Sequence, residues 1–314
     1  MNNRSDRTKL LKELLDSRIL LLDGGMGTQI HARGVTIEDY GGPQFENCTE
    51  NLLFTRPELI KDLHRAYFEA GSDIVETNSF GGASVTLAEF GIEDKVAEVN
   101  QIAARLAREA ADEFTTSDRP RFVAGSMGPT TKSLNTTGGI TFDKLAESYR
   151  AQVLALAEGG VDVFLLETAL DTGNIKAGLV GIDQACKQLG YKLPVMVSGT
   201  INDNGTMLAG QAADALVASL QHVDLLSIGL NCATGPEFMT DHIRSIHELS
   251  TTRVSCYPNA GLPDSDTGKF GETPDSLAKS LERFVRNGWL NIVGGCCGTT
   301  PAHTAALKRL LSRA

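Results

Sequence analysis

Eight short apolar runs, each followed by a segment with helical periodicity, restrict the fold of this chain more than any other feature. The first run is ILLLDGG at residues 19–25 and the last is LNIVGGCC at 290–297. The other six lie at residues 73–80, 121–129, 161–168, 193–200, 223–232 and 253–261. The runs are nearly continuous in apolar residues, which is typical of parallel strands buried on both faces. Eight strand–helix units in 314 residues therefore predict a (β/α)8 TIM barrel of the α/β class.

A doubly wound open sheet is the alternative arrangement of such units, and it usually carries a G-x-G-x-x-G fingerprint after its first strand. Here the first run leads into DGGMGT at residues 23–28, whose glycines do not have that spacing. No linker or low-complexity segment divides the chain. We therefore predict a single barrel domain over residues 1–314, with residues 1–18 as an N-terminal helical extension. The segment 31–54 is unusually long for a loop, and long loops of this kind are often functional.

Two of the predicted helices have clear boundary signals. In the first, Thr55 and Glu58 have the spacing of a capping box, and Gly71 is a suitable C-terminal residue. In the second, Thr273 is the expected N-cap and Pro274 the first helical residue. The expected apolar face of this second helix consists of Leu277, Leu281, Phe284 and Val285.

The charge and the hydropathy pattern exclude several classes of protein. The formal net charge of −10 argues against nucleic acid or an anionic membrane as the main partner. No stretch reaches the roughly 18 apolar residues of a membrane span, and the first 25 residues lack the apolar core of a signal peptide. We predict a cytoplasmic protein whose six cysteines are reduced. In that compartment, clustered cysteines indicate metal binding or catalysis before disulfides.

Polar residues occur where the predicted strands end, which on a barrel is the rim that carries the chemistry. Any strand end becomes polar as it approaches solvent, so a single residue of this kind has little weight. The recurrence of carboxylates and thiols at one rim is stronger evidence for a functional site. The residues concerned are Asp23, Glu76, Asn78, Ser126, Glu167, Ser198, Asn231, Cys232, Asn259, Cys296 and Cys297.

Three of these residues form a candidate metal site. Cys232 ends the sixth run, and Cys296 and Cys297 end the eighth, so their strands lie roughly 10 Å apart with one strand between them. Three thiolates suit zinc, and three protein ligands leave a fourth position open, as in catalytic zinc sites. Adjacent cysteines can face one ion only if the backbone bends sharply. We expect the neighbouring glycines to supply that freedom; they are Gly294, Gly295 and Gly298.

Three other interpretations of the adjacent cysteines remain open. They can form a strained disulfide with each other, or be inert buried side chains, as free cysteine often is. They can also belong to a closed structural zinc site with a fourth ligand such as His303. We interpret Cys186 and Cys256 as structural, and Cys48 as a loop thiol without an assigned role.

An open zinc site made of three thiolates restricts the chemistry. Such a site is anionic, which makes it a poor catalyst for producing hydroxide from water, whereas a soft thiol ligand suits it. Binding to zinc removes the proton from a thiol and leaves a sulfur nucleophile at neutral pH. The three cysteine ligands therefore predict alkylation of a substrate thiol. They identify neither the thiol substrate nor the alkyl donor.

The sequence around these residues resembles the homocysteine S-methyltransferase family. The motifs are GGCCGTTPAH, GLNCATGP and LDGGMGT. The segments VDVFLLET, YPNAGLP and ENCTENLLFTRPELIKDLHRAYFEAGSDIVETNSFG look most like the N-terminal homocysteine-binding module of cobalamin-dependent methionine synthase. The resemblance covers roughly residues 18 to 310. The cysteine motifs are highly specific, whereas DGGMGT alone would be weak.

The resemblance implies both the fold and the site. It implies a (β/α)8 barrel in which Cys232, Cys296 and Cys297 bind zinc, and the zinc activates the thiol of L-homocysteine for methyl transfer to give L-methionine. It also implies that carboxylates hold the ammonium of homocysteine while backbone N–H groups meet its carboxylate. The expected substrate-binding residues are Asp23, Glu167, Gly24 and Gly25, with Glu76 and Asn231 as further contacts.

The sequence allows more than one methyl donor. In the cobalamin-dependent enzyme, this module is followed by folate, cobalamin and activation modules, so the resemblance favours methylcobalamin on a partner domain or corrinoid protein. Two alternatives are then open for this chain, which ends at Ala314: a fragment of such an enzyme, or a stand-alone enzyme served by a separate corrinoid protein. Stand-alone relatives use betaine or S-methylmethionine, and a quaternary ammonium favours an aromatic cage. The residues available for a cage are Tyr40, Phe45, Phe80 and Tyr257. A non-catalytic zinc- or thiol-binding scaffold is the third interpretation.

Overall fold

The computed structural model describes residues 4–134 and 136–313, and its centre is an eight-stranded parallel sheet. Every strand pairs with its neighbour in the chain except β1 and β2, and β1 pairs instead with β8. The chain therefore forms the predicted (β/α)8 barrel, and each apolar run coincides with one strand, although β4 extends one residue beyond its run. The strands are β1 (Leu20–Leu21), β2 (Ile74–Glu76), β3 (Phe122–Met127), β4 (Val163–Ala169), β5 (Val195–Gly199), β6 (Ser227–Asn231), β7 (Arg253–Tyr257) and β8 (Ile292–Val293).

The seam between β1 and β2 is closed by a backbone bond and a side chain. Asp73 N donates to Leu21 O at 2.7 Å. In return, the Asp73 carboxylate accepts a bond of 3.0 Å from Leu21 N. The side chain thus takes the place of a backbone carbonyl where the two strands are too short to form a regular ladder.

Twelve α-helices occur in the described residues. Eight of them, α4 and α6 to α12, follow the eight strands in order and form the outer layer of the barrel. The helices are α1 (Arg4–Ser17), α2 (Met26–Ala32), α3 (Leu52–Thr55), α4 (Pro57–Ala70), α5 (Ser84–Leu87), α6 (Val96–Phe114), α7 (Phe142–Gly159), α8 (Thr172–Leu189), α9 (Ala213–Leu220), α10 (Pro236–Leu249), α11 (Pro274–Arg286) and α12 (Pro301–Leu311). None of the helices in this part of the chain is both long and apolar enough to cross a membrane.

The strands are apolar on both faces because each face is buried in a different core. Leu20 and Leu22 belong to the core inside the barrel, whereas Leu21 between them packs in the core under the helices. The same alternation separates Ile74 from Val75 in β2. Since side chains of a strand alternate between its faces, two cores require the continuous apolar runs seen in the sequence.

Helix α1 covers the amino-terminal end of the barrel. Its buried residues Leu11 and Leu15 belong to the core inside the barrel. Arg7 fixes the helix from outside through a bond of 2.5 Å to the carboxylate of Asp162. This helix lies in the predicted extension 1–18, of which residues 1–3 fall outside the described residues, as does residue 314 at the other end of the predicted domain.

The long segment 31–54 is folded onto the barrel. It contains two short 3-10 helices, Pro43–Phe45 and Thr49–Asn51, and ends in α3. Tyr40, Leu52 and Leu53 are buried in a third apolar core, which they share with residues of α4 and α6. The segment is therefore an ordered part of the wall around the mouth of the barrel.

The predicted ends of the two helices were confirmed in part. The predicted capping box at Thr55 is wrong, because Thr55 ends α3 and its hydroxyl donates to Asp39 O and Asn51 O. Gly71 does end α4, with a φ of 120°. Thr273 and Pro274 begin α11 as predicted, in a capping box completed by Ser276. The predicted apolar face of α11 is buried.

Helix α4 carries a histidine that makes stability depend on pH. His64 is fully buried, and neither ring nitrogen has a hydrogen-bond partner among the described residues. Burial lowers its pKa to about 4 from 6.5. The neutral ring is therefore compatible with the fold above pH 6.5, and stability is lost as the pH falls from 6.5 towards 4. Between pH 7.5 and pH 5, we expect this residue to remove about 2 kcal/mol from the free energy of unfolding.

Urea unfolding at pH 7.5 and pH 5 measures this loss. A His64→Leu variant should lose about 2 kcal/mol less than the wild-type protein between these two pH values, because it has no ring to protonate. His247→Leu is the matched control, since His247 is exposed at the end of α10, and it should behave like the wild type. An equal loss in the wild type and the His64→Leu variant would contradict the assignment.

Candidate functional site

The structure brings together the three cysteines that form the predicted metal site. Cys232 follows β6 directly, and Cys296 and Cys297 lie in the loop after β8. The three sulfur atoms lie within 4.8 Å of one another, and no other histidine, cysteine, aspartate or glutamate of the described residues joins the group. All three thiols are free and half-buried. Cys48, Cys186 and Cys256 are buried and lie outside this group.

Hydrogen bonds across three loops hold the cysteines in place. Cys232 and the following Ala233 have φ angles of 60° and 55°, a left-handed conformation that costs about 1–3 kcal/mol for each non-glycine residue. Asn259, which follows β7, connects the loops on both sides. Its N–H donates to Thr234 O at 3.1 Å, and its side-chain oxygen accepts from Cys297 N at 3.1 Å. The sequence placed Asn259 at the rim without a role, and the structure shows that it fixes the cysteine loops.

The glycines near the adjacent cysteines serve a different purpose from the one predicted. Only Gly298 has a positive φ, of 78°, whereas Gly294 and Gly295 do not. A Cβ on Gly294 would lie 2.8 Å from the Cβ of Leu22, and one on Gly295 would lie 2.5 Å from Thr299 Oγ1. These two positions need glycine because the backbone of the loop packs directly against its neighbours. The prediction of backbone freedom is therefore wrong for both and confirmed for Gly298.

His303 is not a fourth ligand. It lies in the first turn of α12, where its Nδ1 accepts a bond of 3.1 Å from Thr300 N. Its Nε2 donates to Glu272 O at 3.0 Å. Both ring nitrogens are thus used to cap the helix and to anchor the preceding loop, which contradicts the alternative of a closed zinc site completed by this residue.

Thr299 joins the first and the last turn of the barrel, and the sequence analysis missed it. Its buried hydroxyl donates to Cys296 O at 2.7 Å and accepts from Gly25 N at 3.0 Å. The sequence did contain a signal for this role. A threonine three positions after a cysteine in a tight turn can close that turn with its hydroxyl group. Because Gly25 N already has this partner, it does not offer a free donor to a substrate.

Three carboxylates lie beside one another at the same rim. Asp23 follows β1, Glu76 ends β2, and Glu167 lies near the end of β4. Asp23 Oδ2 accepts from Glu76 N at 2.9 Å, and Glu167 accepts from the hydroxyl of Ser126. Asp23 Oδ1 and Glu76 Oε1 are buried and have no partner in the described residues. No lysine or arginine of those residues forms an ion pair with any of the three.

The pKa values of these carboxylates reflect that lack of a cation. Burial raises the pKa of Asp23 and of Glu76 well above the usual range, and repulsion between the carboxylates adds to the effect. Burial likewise raises the pKa of Glu167 to about 7, with a further contribution from repulsion by the nearby thiolate of Cys232. A cationic group among the three would relieve the repulsion and restore the charged forms. The site is therefore complementary to a cation.

Asn231 connects the carboxylates to the cysteines. Its side-chain oxygen accepts from Thr168 N at 2.9 Å and from Ser198 Oγ at 2.7 Å. Its NH₂ group donates to Thr168 Oγ1 at 2.8 Å and lies 3.8 Å from Cys296 Sγ. Thr168 has a φ of 53° inside an irregularity of β4 that directly follows Glu167. Since its polar atoms are engaged within the protein, Asn231 positions neighbouring residues.

The aromatic residues considered for a cage are dispersed. Tyr40 and Phe45 belong to the core shared by the 31–54 segment, α4 and α6, and Tyr257 belongs to the core inside the barrel. Phe80 alone is exposed, by 42 %, in the loop after β2. The structure therefore does not bring these four residues together around one position.

The chain also matches a known protein family. A family model described as homocysteine S-methyltransferase matches residues 20–311. The chain belongs to the homocysteine S-methyltransferase family. This confirms the resemblance found in the sequence at the level of the family.

Solved structures show the same fold over the whole chain. The oxidised form of the homocysteine methyltransferase MmuM from Escherichia coli is 26 % identical, with a TM-score of 0.78 and 100 % of each chain covered. The metallated form of the same enzyme is 26 % identical, with a TM-score of 0.76, and covers 97 % of this chain and 99 % of that one. The carboxyl transferase domain of Rhizobium etli pyruvate carboxylase, at 13 % identity and a TM-score of 0.51, covers 97 % of this chain and 49 % of that one and shares the fold alone.

Proposed function

We propose that this protein transfers a methyl group to the thiol of L-homocysteine and produces L-methionine. One observation carries the proposal: in a chain of this family, three half-buried thiols and three carboxylates without a cation lie at the same rim. Homocysteine has the matching groups, a thiol at one end and an ammonium at the other. The S–CH₃ bond forms as the bond between the methyl group and its donor breaks, and the thiol proton is released.

The three cysteines fit zinc. A tetrahedral zinc with Zn–S bonds of about 2.3 Å separates two sulfur ligands by about 3.8 Å. Cys232 Sγ and Cys297 Sγ lie 3.9 Å apart, and the soft all-sulfur donor set favours zinc over harder cations. Three protein ligands leave a position for one more. When bound there, zinc lowers the pKa of a thiol so that its sulfur is a nucleophile at neutral pH.

The carboxylates bind and orient the substrate in this proposal. Asp23 and Glu167 accept hydrogen bonds from the ammonium of homocysteine, and Glu76 adds a third negative charge beside them. Gly24 N remains the candidate donor to the substrate carboxylate, because Gly25 N is bonded to Thr299. Asn231 keeps Glu167 and Cys296 at a constant separation. Held at its amino acid end, the substrate presents its sulfur to the cysteines.

A corrinoid protein or domain is the donor that we propose first. Exposed apolar side chains surround the mouth of the barrel in the loops after β2, β5 and β7 and at the start of α10, and such surfaces often mark protein interfaces. They are Phe80, Leu208, Leu262 and Phe238, which are 42 %, 69 %, 48 % and 51 % exposed. A partner that carries methylcobalamin can cover them while it presents the methyl group above the cysteines.

A small sulfonium or ammonium donor is the second candidate. The observation in its favour is the match to the Escherichia coli homocysteine methyltransferase, in which 100 % of each chain is covered. The candidate donors are S-methylmethionine and betaine.

Parallel assays of the donors test the proposal. Zinc-loaded protein is mixed with homocysteine and either free methylcobalamin, S-methylmethionine or betaine, and methionine is quantified in each case. We expect homocysteine-dependent demethylation of methylcobalamin, visible in its absorption spectrum. Methionine formed only from a small donor would replace the first candidate by the second. No methionine from any donor, together with tight zinc binding, would favour the non-catalytic scaffold.

A further inference from the structure

The end of the barrel opposite the cysteines contains a cavity lined by both charged and apolar residues. It has a volume of about 670 Å³ and lies between the starts of the first strands and helix α12. Five charged residues line it, namely the cations Arg18, Arg119 and Lys308 and the anions Asp73 and Asp118. We propose that this cavity binds a small anion that bears a phosphate group.

Several cationic side chains surround the carboxylate of Asp73. It is buried, and Arg18 binds both of its oxygens, at 2.7 and 3.0 Å. Arg121 Nη1 lies 3.7 Å and Arg119 Nε 3.9 Å from the same carboxylate. One carboxylate, which also closes the seam between β1 and β2, is therefore shared among three guanidinium groups.

Lys308 adds a fourth cation with no ion-pair partner in the part of the chain that the structure describes. Its aliphatic chain packs against Gly71, where a Cβ would overlap it. Burial and repulsion by Arg119 and Arg121 lower its pKa. The fold thus holds an ammonium beside two guanidinium groups at a cost in free energy that a bound anion would offset.

The net positive charge around the cavity matches a dianion. Arg121 does not line the cavity but lies 3.7 Å from Asp73; its side chain is 5 % exposed, and its Nε has no partner among the described residues. With Arg121 included, four cations face two carboxylates, an excess of two positive charges in a chain whose net charge is −10. A phosphate dianion balances that excess. Arginine and lysine are also the side chains that bind phosphate oxygens most effectively.

The size of the cavity indicates what the phosphate is attached to. Sites for small molecules have volumes of roughly 300–1,000 Å³, and inorganic phosphate alone would fill only a small part of this one. Val285 and Leu311 supply apolar wall next to the cations. A phosphomonoester with a small organic group therefore fits better than the free ion.

Residues at the amino-terminal face of a barrel more often serve stability, so the test must separate binding from a structural role. Thermal unfolding is measured in inorganic phosphate, in glycerol 3-phosphate and in chloride at equal ionic strength and pH 7.5. Isothermal titration calorimetry gives the dissociation constants. We expect both phosphates to raise the unfolding temperature above its value in chloride, with tighter binding of the monoester.

Two variants locate the site. Lys308→Met should weaken phosphate binding by about tenfold, and without phosphate its unfolding temperature should equal or exceed that of the wild type. Arg119→Gln should also weaken binding and serves as a second variant if the first does not fold. Lys176→Met, on the exposed face of α8, is the matched control and should bind like the wild type. Absence of a phosphate-specific shift in the wild type, or equal binding by all the variants, would overturn the proposal.

Discussion

Cys297→Ala is expected to bind zinc at least about 100-fold more weakly than the wild-type protein and to lose methyl transfer. Replacing residues that merely support a metal ligand typically costs 10–100-fold in affinity or activity, so removal of a ligand should cost more. Cys232 and Cys297 have the sulfur separation expected for a shared ion. The same result is expected for Cys232→Ala and Cys296→Ala. Zinc content by atomic absorption and the rate of methionine formation measure the two losses.

Cys186→Ala is the matched control for these variants. Cys186 is a buried thiol in α8 that lies outside the group of three sulfur atoms, and alanine is the best helix former. This variant should retain both zinc and activity. An inactive variant of Cys232, Cys296 or Cys297 that still binds one equivalent of zinc would refute the ligand assignment.

Glu167→Gln is expected to reduce kcat/KM for homocysteine by roughly 30- to 5,000-fold, mainly through KM. Removing one partner from a buried, charged hydrogen bond costs about 2–5 kcal/mol. Glutamine has nearly the same shape and can still accept the bond from Ser126, so the fold should be preserved. Steady-state kinetics with varied homocysteine measure the effect. Glu113→Gln, which changes an exposed carboxylate on α6, should leave the kinetics unchanged.

A substrate analogue tests the assigned role directly. 4-Mercaptobutanoate has the thiol and the carboxylate of homocysteine but no ammonium. If Glu167 binds the ammonium, the wild-type enzyme should discriminate strongly between the two substrates, and Glu167→Gln should lose most of that discrimination. A similar loss of activity towards both substrates would show instead that Glu167 acts on the geometry of the cysteines or of β4.

The fold could be read from the sequence because its determinants are local. Each apolar run is a segment of seven to ten residues, and the requirement to bury both faces of every strand follows from that segment alone. Thr273 and Pro274 mark the start of α11 for the same reason, since a cap depends on four consecutive residues. Thr55 has the residue type of a cap but does not cap α4, because its hydroxyl bonds to Asp39, sixteen positions earlier in the chain.

Part of the candidate site could also be predicted from the sequence. Cys232, Cys296, Cys297, Asp23 and Glu167 stood out as thiols and carboxylates that recur at the strand ends of one rim, and the resemblance to the family implied the substrate-binding role of Asp23 and Glu167. Thr299 and Asn259 could not be selected in this way, because threonine and asparagine are common in turns. Their importance lies in bonds to Gly25 and Thr234, which belong to other loops.

The sequence by itself determined the barrel, the rim that carries the chemistry and the donor atoms at that rim, because periodicity and residue type are properties of short segments. Only the tertiary structure decided which groups are already engaged. It showed that Gly25 N and His303 are bonded within the protein, that Gly294 and Gly295 are required by close packing, and that four cations converge near Asp73. These contacts join residues that are far apart in the chain, and their distances follow from closure of the barrel, which no local pattern encodes.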